Sequence, residues 1–169
     1  MRRFAAFIAV AFCACSATAA VDADEITALP GWDHELPSKQ YSGFLSAEET
    51  PTPGHERKLH YVFVEAENSP ETAPVVLWTN GGPGCSSLDG LVYEHGPFRI
   101  NATDNTKLVR FDHTWAKLAN MLYLEAPVGV GFSYSDDASD YKKCTDDTVE
   151  MARMHSVMSS ESPSVYSTR

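Results

Sequence analysis

Trp78-Thr79-Asn80-Gly81-Gly82-Pro83-Gly84-Cys85-Ser86-Ser87-Leu88-Asp89-Gly90-Leu91 is the stretch on which the reading of this chain turns. It follows an apolar run, Val75-Val76-Leu77-Trp78, that predicts a buried strand. The chain then breaks into a turn where glycines and a proline exclude regular structure. Gly81, Gly82 and Gly84 carry no β-carbon, so a ligand can come close to the backbone there. The N–H groups of Gly81 and Gly82 can point at an anion or a developing oxyanion.

Glycine-rich loops after strands also hold phosphates, but two nucleotide-binding patterns fail here. A P-loop needs a lysine behind its second glycine, and none occurs between Lys58 and Lys107. The dinucleotide fingerprint needs a third glycine. Gly82-x-Gly84 has Ser87 at that position, and Gly129-x-Gly131 has Tyr134.

Outward from the loop, Gln40 to Leu45 and Lys58 to Val64 predict an antiparallel pair. Val75 to Thr79, continuously apolar, predicts a strand covered on both faces. Ser86 to Tyr93 predicts a short helix ended by Gly96-Pro97, its first N–H groups facing the same space as the loop. Phe98 to Val109 reads as loop with a short strand, and Trp115 to Leu118 as an apolar turn. Asn120 to Leu124 predicts another buried strand, closed by Glu125-Ala126-Pro127, before a second glycine-bearing loop, Val128 to Ser135. Short buried strands separated by crossover-sized segments predict a largely parallel α/β sheet.

At 169 residues and 43% hydrophobic, the chain is long enough for one domain with a core. Residues 1–19 have the order of a secretory signal: Arg2-Arg3, an apolar Phe4 to Cys15, then Ala17-Thr18-Ala19 as a cleavage site. This places the protein in the secretory pathway, lysosomal or extracellular, with Asn101-Ala102-Thr103 as a glycosylation acceptor. The net charge of -10 becomes more acidic once Arg2 and Arg3 leave. That argues against nucleic acid and anionic membranes as partners. Residues 20–150 form the predicted domain, with an Asp147-x-x-Glu150 capping box near its end. Residues 151–169 are serine-rich and predicted as a disordered tail. Cys13 and Cys15 leave with the signal. Cys85 and Cys144 remain, free to pair with each other or with partners elsewhere.

The glycine loop and the later Leu122-Tyr123-Leu124-Glu125-Ala126-Pro127-Val128-Gly129-Val130-Gly131-Phe132-Ser133-Tyr134-Ser135 together resemble the serine carboxypeptidase family. From Asp24 to about Glu150 the chain is most similar to that family's lysosomal cathepsin A branch. Leu29-Pro30-Gly31, Gln40-Tyr41-Ser42-Gly43, Leu59-His60-Tyr61 and Glu94-His95-Gly96-Pro97-Phe98 carry this. The resemblance implies the amino-terminal portion of an α/β-hydrolase fold that removes carboxy-terminal residues from peptides with a Ser-Asp-His triad. It implies no cofactor or metal, takes a peptide with a free carboxy terminus as partner, and allows a homodimer. Gly82 matches the residue whose N–H forms half of the oxyanion hole. Trp78, Asn80 and Gly81 match groups that bind the substrate's terminal carboxylate. Glu94 matches a glutamate that shares a proton with a second one, so the pair holds an anion only in acid. Cys85 matches a structural cysteine whose partner lies far downstream.

The nucleophile of the family lies in a Gly-Glu-Ser-Tyr-Ala-Gly elbow expected after Glu150, and these 169 residues contain no Gly-x-Ser-x-Gly. In this fold the histidine follows the serine and the acid, so His95 and His113 come too early and only His155 remains. The expectation is therefore a chain truncated before the nucleophile elbow. It holds one wall of the site, no catalytic residue, and no activity alone. The alternatives are a non-catalytic truncated product and, within the family, an acyltransferase.

Overall fold

The computed structural model describes residues 22–47, 55–82 and 84–142. The predicted signal, the Asp147 capping box, Cys144 and the serine-rich tail lie outside them.

Among the described residues, seven strands form two sheets: β1 (Gln40–Ala47), β2 (Arg57–Val64), β3 (Val75–Trp78), β4 (Phe98–Ile100), β5 (Leu108–Arg110), β6 (Asn120–Leu124) and β7 (Tyr134–Ser135). The main sheet runs β1-β2-β6-β3, with β7 against the start of β2. The predicted pair of β1 and β2 is present, antiparallel over the full length of both strands. Where loop with a short strand was expected from Phe98 to Val109, two short strands, β4 and β5, pair as a separate hairpin. Leu29-Pro30-Gly31-Trp32 makes the expected turn, Trp32 N–H donating to the Leu29 carbonyl at 3.1 Å.

The sheet is mixed rather than largely parallel, which corrects the expectation from the sequence. β2 runs antiparallel to β1, β6 and β7, and only β3 and β6 are parallel. Crossover-sized spacing yields a parallel pair only where the next strand returns beside its predecessor. The segment from Thr79 to Ala119 does this for β3 and β6, but β2 inserts on the other side of β6 in the opposite sense.

β6 is the axis of the core, all five of its residues buried. Strand alternation sends Met121 and Tyr123 to one face with Val62, Val64, Ala116 and Ala119. Leu122 and Leu124 go to the other face with Tyr41, Leu59 and Tyr61. β3 does not have both faces covered as predicted. It lies at the edge of the sheet among the described residues, with Val75 43% exposed.

The helix predicted for Ser86 to Tyr93 starts later and winds more widely, as a π-helical turn over Gly90–Glu94 with His95 N–H donating to the Gly90 carbonyl. The delay has a local cause. Ser86 and Ser87 spend their hydroxyls on groups at the end of β6, which holds the backbone out of a helix until Leu88.

Beyond β7, Asp140 ties the end of the described chain back to β2. Its carboxylate takes both Arg57 Nε at 2.8 Å and Ser135 Oγ at 2.7 Å. Chiefly through the Arg57 hydrogen bond, its pKa falls to about 2. Because the folded value lies below the unfolded one, this pairing stabilises the fold above about pH 4 and is lost as pH falls toward 2. Asp140→Asn is expected to flatten that part of the pH dependence of urea unfolding. An unchanged slope between pH 4 and 2 would contradict this.

Candidate functional site

Asn80 is the fixed point of the glycine loop. Its Oδ1 accepts from Trp78 Nε1 at 2.6 Å, and its backbone N–H donates to Ser87 Oγ at 3.2 Å. With Oδ1 taken, the Asn80 amide is left with its N–H₂ donors to offer. Gly81 and Gly82 are exposed, and among the described residues no hydrogen bond engages their N–H groups. Gly82 has φ +133°, closed to other residues, and a β-carbon there would sit 2.9 Å from Gly84 N. The structure thus leaves two adjacent N–H groups open beside a polar side chain of fixed orientation. That arrangement suits an anion.

Behind Trp78 stands an aromatic cluster built around His95, which is 4% exposed. The imidazole stacks on Trp115 and Tyr123 and meets Trp78 edge-on at 4.2 Å between centroids. Its Nδ1 shares a hydrogen bond with the Tyr123 hydroxyl at 3.0 Å, and its Nε2 has no partner among the described residues. Burial pulls the imidazole below its ordinary pKa, against the opposite pull of Glu94, so the ring is neutral at pH 7. Burial likewise pushes the Tyr123 phenol up. Glu94 itself is exposed, at the end of the π-helical turn and one residue from the imidazole that backs Trp78.

The structure gathers Trp78, Asn80, Gly81 and Gly82 and brings the segment of Glu94 to them through His95. Cys85 is exposed and has no disulfide partner among the described residues, its N–H on the Gly81 carbonyl. Asn101 lies apart in the loop after β4, where its Oδ1 accepts from the Thr103 N–H and hydroxyl, each at 2.8 Å. Among the described residues no group of three or more His, Cys, Asp or Glu side chains is placed to hold a metal. No helix among them is long and apolar enough to cross a membrane.

Sequence reasoning missed a buried polar group beneath the loop. Glu125, 0% exposed, follows β6 and takes hydrogen bonds from Ser86 Oγ and from Phe132 N–H at 2.9 Å. His60 Nδ1 lies 3.0 Å from the same carboxylate. The Nε2 of that ring is 2.9 Å from Ser42 Oγ, so hydroxyl, imidazole and carboxylate are in series. Ser42 nevertheless lies within β1, paired with Val62, and not on the sharp strand-to-helix turn that exposes a nucleophile. Ser133 is also committed, donating to the Glu125 carbonyl at 2.6 Å and accepting from His60 N–H at 2.8 Å. The signal available in the sequence was a carboxylate placed directly after the apolar run Met121 to Leu124.

The family model for serine carboxypeptidases matches residues 30–160. Serine carboxypeptidase 1 of Hordeum vulgare is 49% identical over 128 residues, 73% of this chain and 25% of the relative. The lysosomal protective protein of Mus musculus is 53% identical over 119 residues, 70% of this chain and 24% of the relative. Among solved structures, a prohormone-processing carboxypeptidase from Saccharomyces cerevisiae superposes with a TM-score of 0.50 at 27% identity, covering 66% of this chain and 23% of its own. The chain thus spans about a quarter of the length of the curated relatives it matches.

Proposed function

The chain belongs to the serine carboxypeptidase family, and from that premise we propose that it carries the carboxylate-gripping wall of a peptidase that removes carboxy-terminal residues. The observation that supports this reading most is the state of the loop. Asn80 is locked by Trp78 and Ser87 while the neighbouring Gly81 and Gly82 N–H groups stay open.

In this reading the terminal carboxylate of a peptide lies against Asn80, Gly81 and Trp78. Glu94 adds a hydrogen bond when it is protonated together with a second carboxyl group from outside these residues, which favours acidic pH. The Gly82 N–H donates to the oxygen of the scissile carbonyl as charge develops on it. One such donor is worth about 2.7–4 kcal/mol in the transition state. The reacting serine, its acid and its base come from sequence outside these 169 residues, so the chain alone binds without hydrolysing. The division into a signal (1–19), a hydrolase portion (20–150) and a divergent tail (151–169) belongs to the same reading. So do passage through the secretory pathway, glycosylation of Asn101 and pairing into a homodimer.

Two measurements on the 169-residue chain test this. An N-blocked dipeptide with a free carboxy terminus should shift the Trp78 indole resonance near pH 5, and its carboxy-terminal amide should not. A fluorophosphonate probe should leave every serine unlabelled, Ser42 and Ser133 included. Equal shifts with acid and amide would remove the carboxylate reading, and a labelled serine would remove the claim of inactivity.

A further inference from the structure

We propose that Glu125 is a positioning residue for the glycine loop: its buried carboxylate anchors Ser86 and so sets where Asn80 and the Gly81 and Gly82 N–H groups stand. The inference rests on the carboxylate-binding role proposed for that loop.

A carboxylate with 0% exposure is costly to bury unless several donors converge on it. Glu125 has such a set, drawn from three separate segments. Ser86 comes from the glycine loop, Phe132 N–H from the loop after β6, and His60 from the middle of β2. Its backbone is fixed as well, the N–H donating to the His60 carbonyl at 3.0 Å and the carbonyl accepting from Ser133 Oγ. Gly131 completes the cradle, because a β-carbon at that position would collide with both carboxylate oxygens. The carboxylate is therefore held from three segments at once beneath the loop.

From it, two adjacent serines carry the position outward. Ser86 Oγ bonds the Glu125 side chain and also accepts from Leu88 N–H at 3.2 Å, which shapes the loop's exit. Ser87 Oγ donates to the Leu124 carbonyl at 2.5 Å and accepts from Asn80 N–H. One peptide unit thus links the residue held by Glu125 to the residue that holds Asn80. If Ser86 is released, Ser87 retains one bond to β6 and Asn80 loses a rigid support. The series of Ser42, His60 and Glu125 fits this role, since it braces the carboxylate from β1 and β2.

The test uses the 169-residue chain with Ser86→Ala and Glu125→Gln, compared by amide hydrogen exchange and by acid-over-amide preference for the blocked dipeptide. Ser86→Ala leaves Glu125 with His60 and Phe132, so it tests the tie even if Glu125→Gln fails to fold. Exchange at the Asn80 and Cys85 amides, both hydrogen-bonded within the loop, should rise about tenfold or more, the scale of one lost charge-assisted hydrogen bond. The hairpin of β4 and β5 should be unchanged, and the preference for acid over amide should fall by a similar factor. A merely structural role would loosen the chain generally and leave that preference intact. Ser86→Ala exchange within about twofold of the parent at the Asn80 and Cys85 amides would overturn the proposal, and so would an equal rise across the hairpin. If those two amides loosen in Ser86→Ala but the parent chain shows no acid preference, Glu125 still positions the loop and the carboxylate reading alone fails.

Discussion

Tyr123→Ala is expected to cost about 3–5 kcal/mol, the range for deleting a large aromatic side chain from a packed core. Tyr123 is 0% exposed in the middle of β6, between β2 and β3, and packs with Val62, Val64, Met121 and the inner faces of Trp78 and Leu91. No neighbouring element can collapse into the space, because both flanking strands are held to β6 in register. Urea unfolding gives the measurement, and a loss below about 1.5 kcal/mol would mean that the site relaxes in a way this packing does not predict. Tyr123→Phe separates packing from polarity. It keeps the ring but removes the hydroxyl on His95 Nδ1, and since His95 Nε2 already lacks a partner, the buried imidazole is left with none among the described residues. That variant should cost about 1–3 kcal/mol, the penalty of an unsatisfied buried polar group.

The same residues mark how far the sequence could be read. Asn120 to Leu124 was legible as a buried strand because five consecutive apolar or small polar residues admit little else. The pairing of β1 with β2 was legible because Lys58 to Val64 alternates as a strand does and follows the strand-like run at Gln40 to Leu45 with no other element between them in the sequence. The direction of β2 relative to β6 was not, because it depends on two segments that meet only in the folded sheet. The loop residues Trp78, Asn80, Gly81 and Gly82 were singled out through their motif, and within it Trp78 Nε1 donates to Asn80 Oδ1. The support beneath them was not found. Ser86 and Glu125 are 39 positions apart, and His60 and Glu125 are 65 apart. Buried polar pairs have no periodicity, so neither partner announces the other. The late start of the π-helical turn has the same origin, since it follows from where Ser86 and Ser87 send their hydroxyls.

Gly90→Ala sets two effects of known size against each other. In a helical turn alanine is favoured over glycine by about 0.8–1 kcal/mol, so propensity alone predicts a more stable protein. Packing predicts the reverse. A β-carbon on Gly90 would run into Trp78, reaching Nε1 and Cδ1 of an indole that cannot simply swing away. His95 meets that ring edge-on at 4.2 Å between centroids, and Trp115 does so at 5.8 Å. Overpacking of this kind costs about 1–3 kcal/mol, which outweighs the gain in propensity. The displaced indole must also leave Asn80 Oδ1, which Trp78 Nε1 now holds at 2.6 Å. The variant is therefore expected to unfold at lower urea, and its Trp78 indole proton should move toward the resonance of a free indole. Its preference for a carboxylate over an amide should weaken even where the chain is fully folded. Trp78→Phe in the same chain relieves the clash, so the two substitutions should couple in a double-mutant cycle, each costing less in the presence of the other. If Gly90→Ala raises stability and leaves the indole resonance in place, the close approach of Gly90 and Trp78 is not what fixes Asn80.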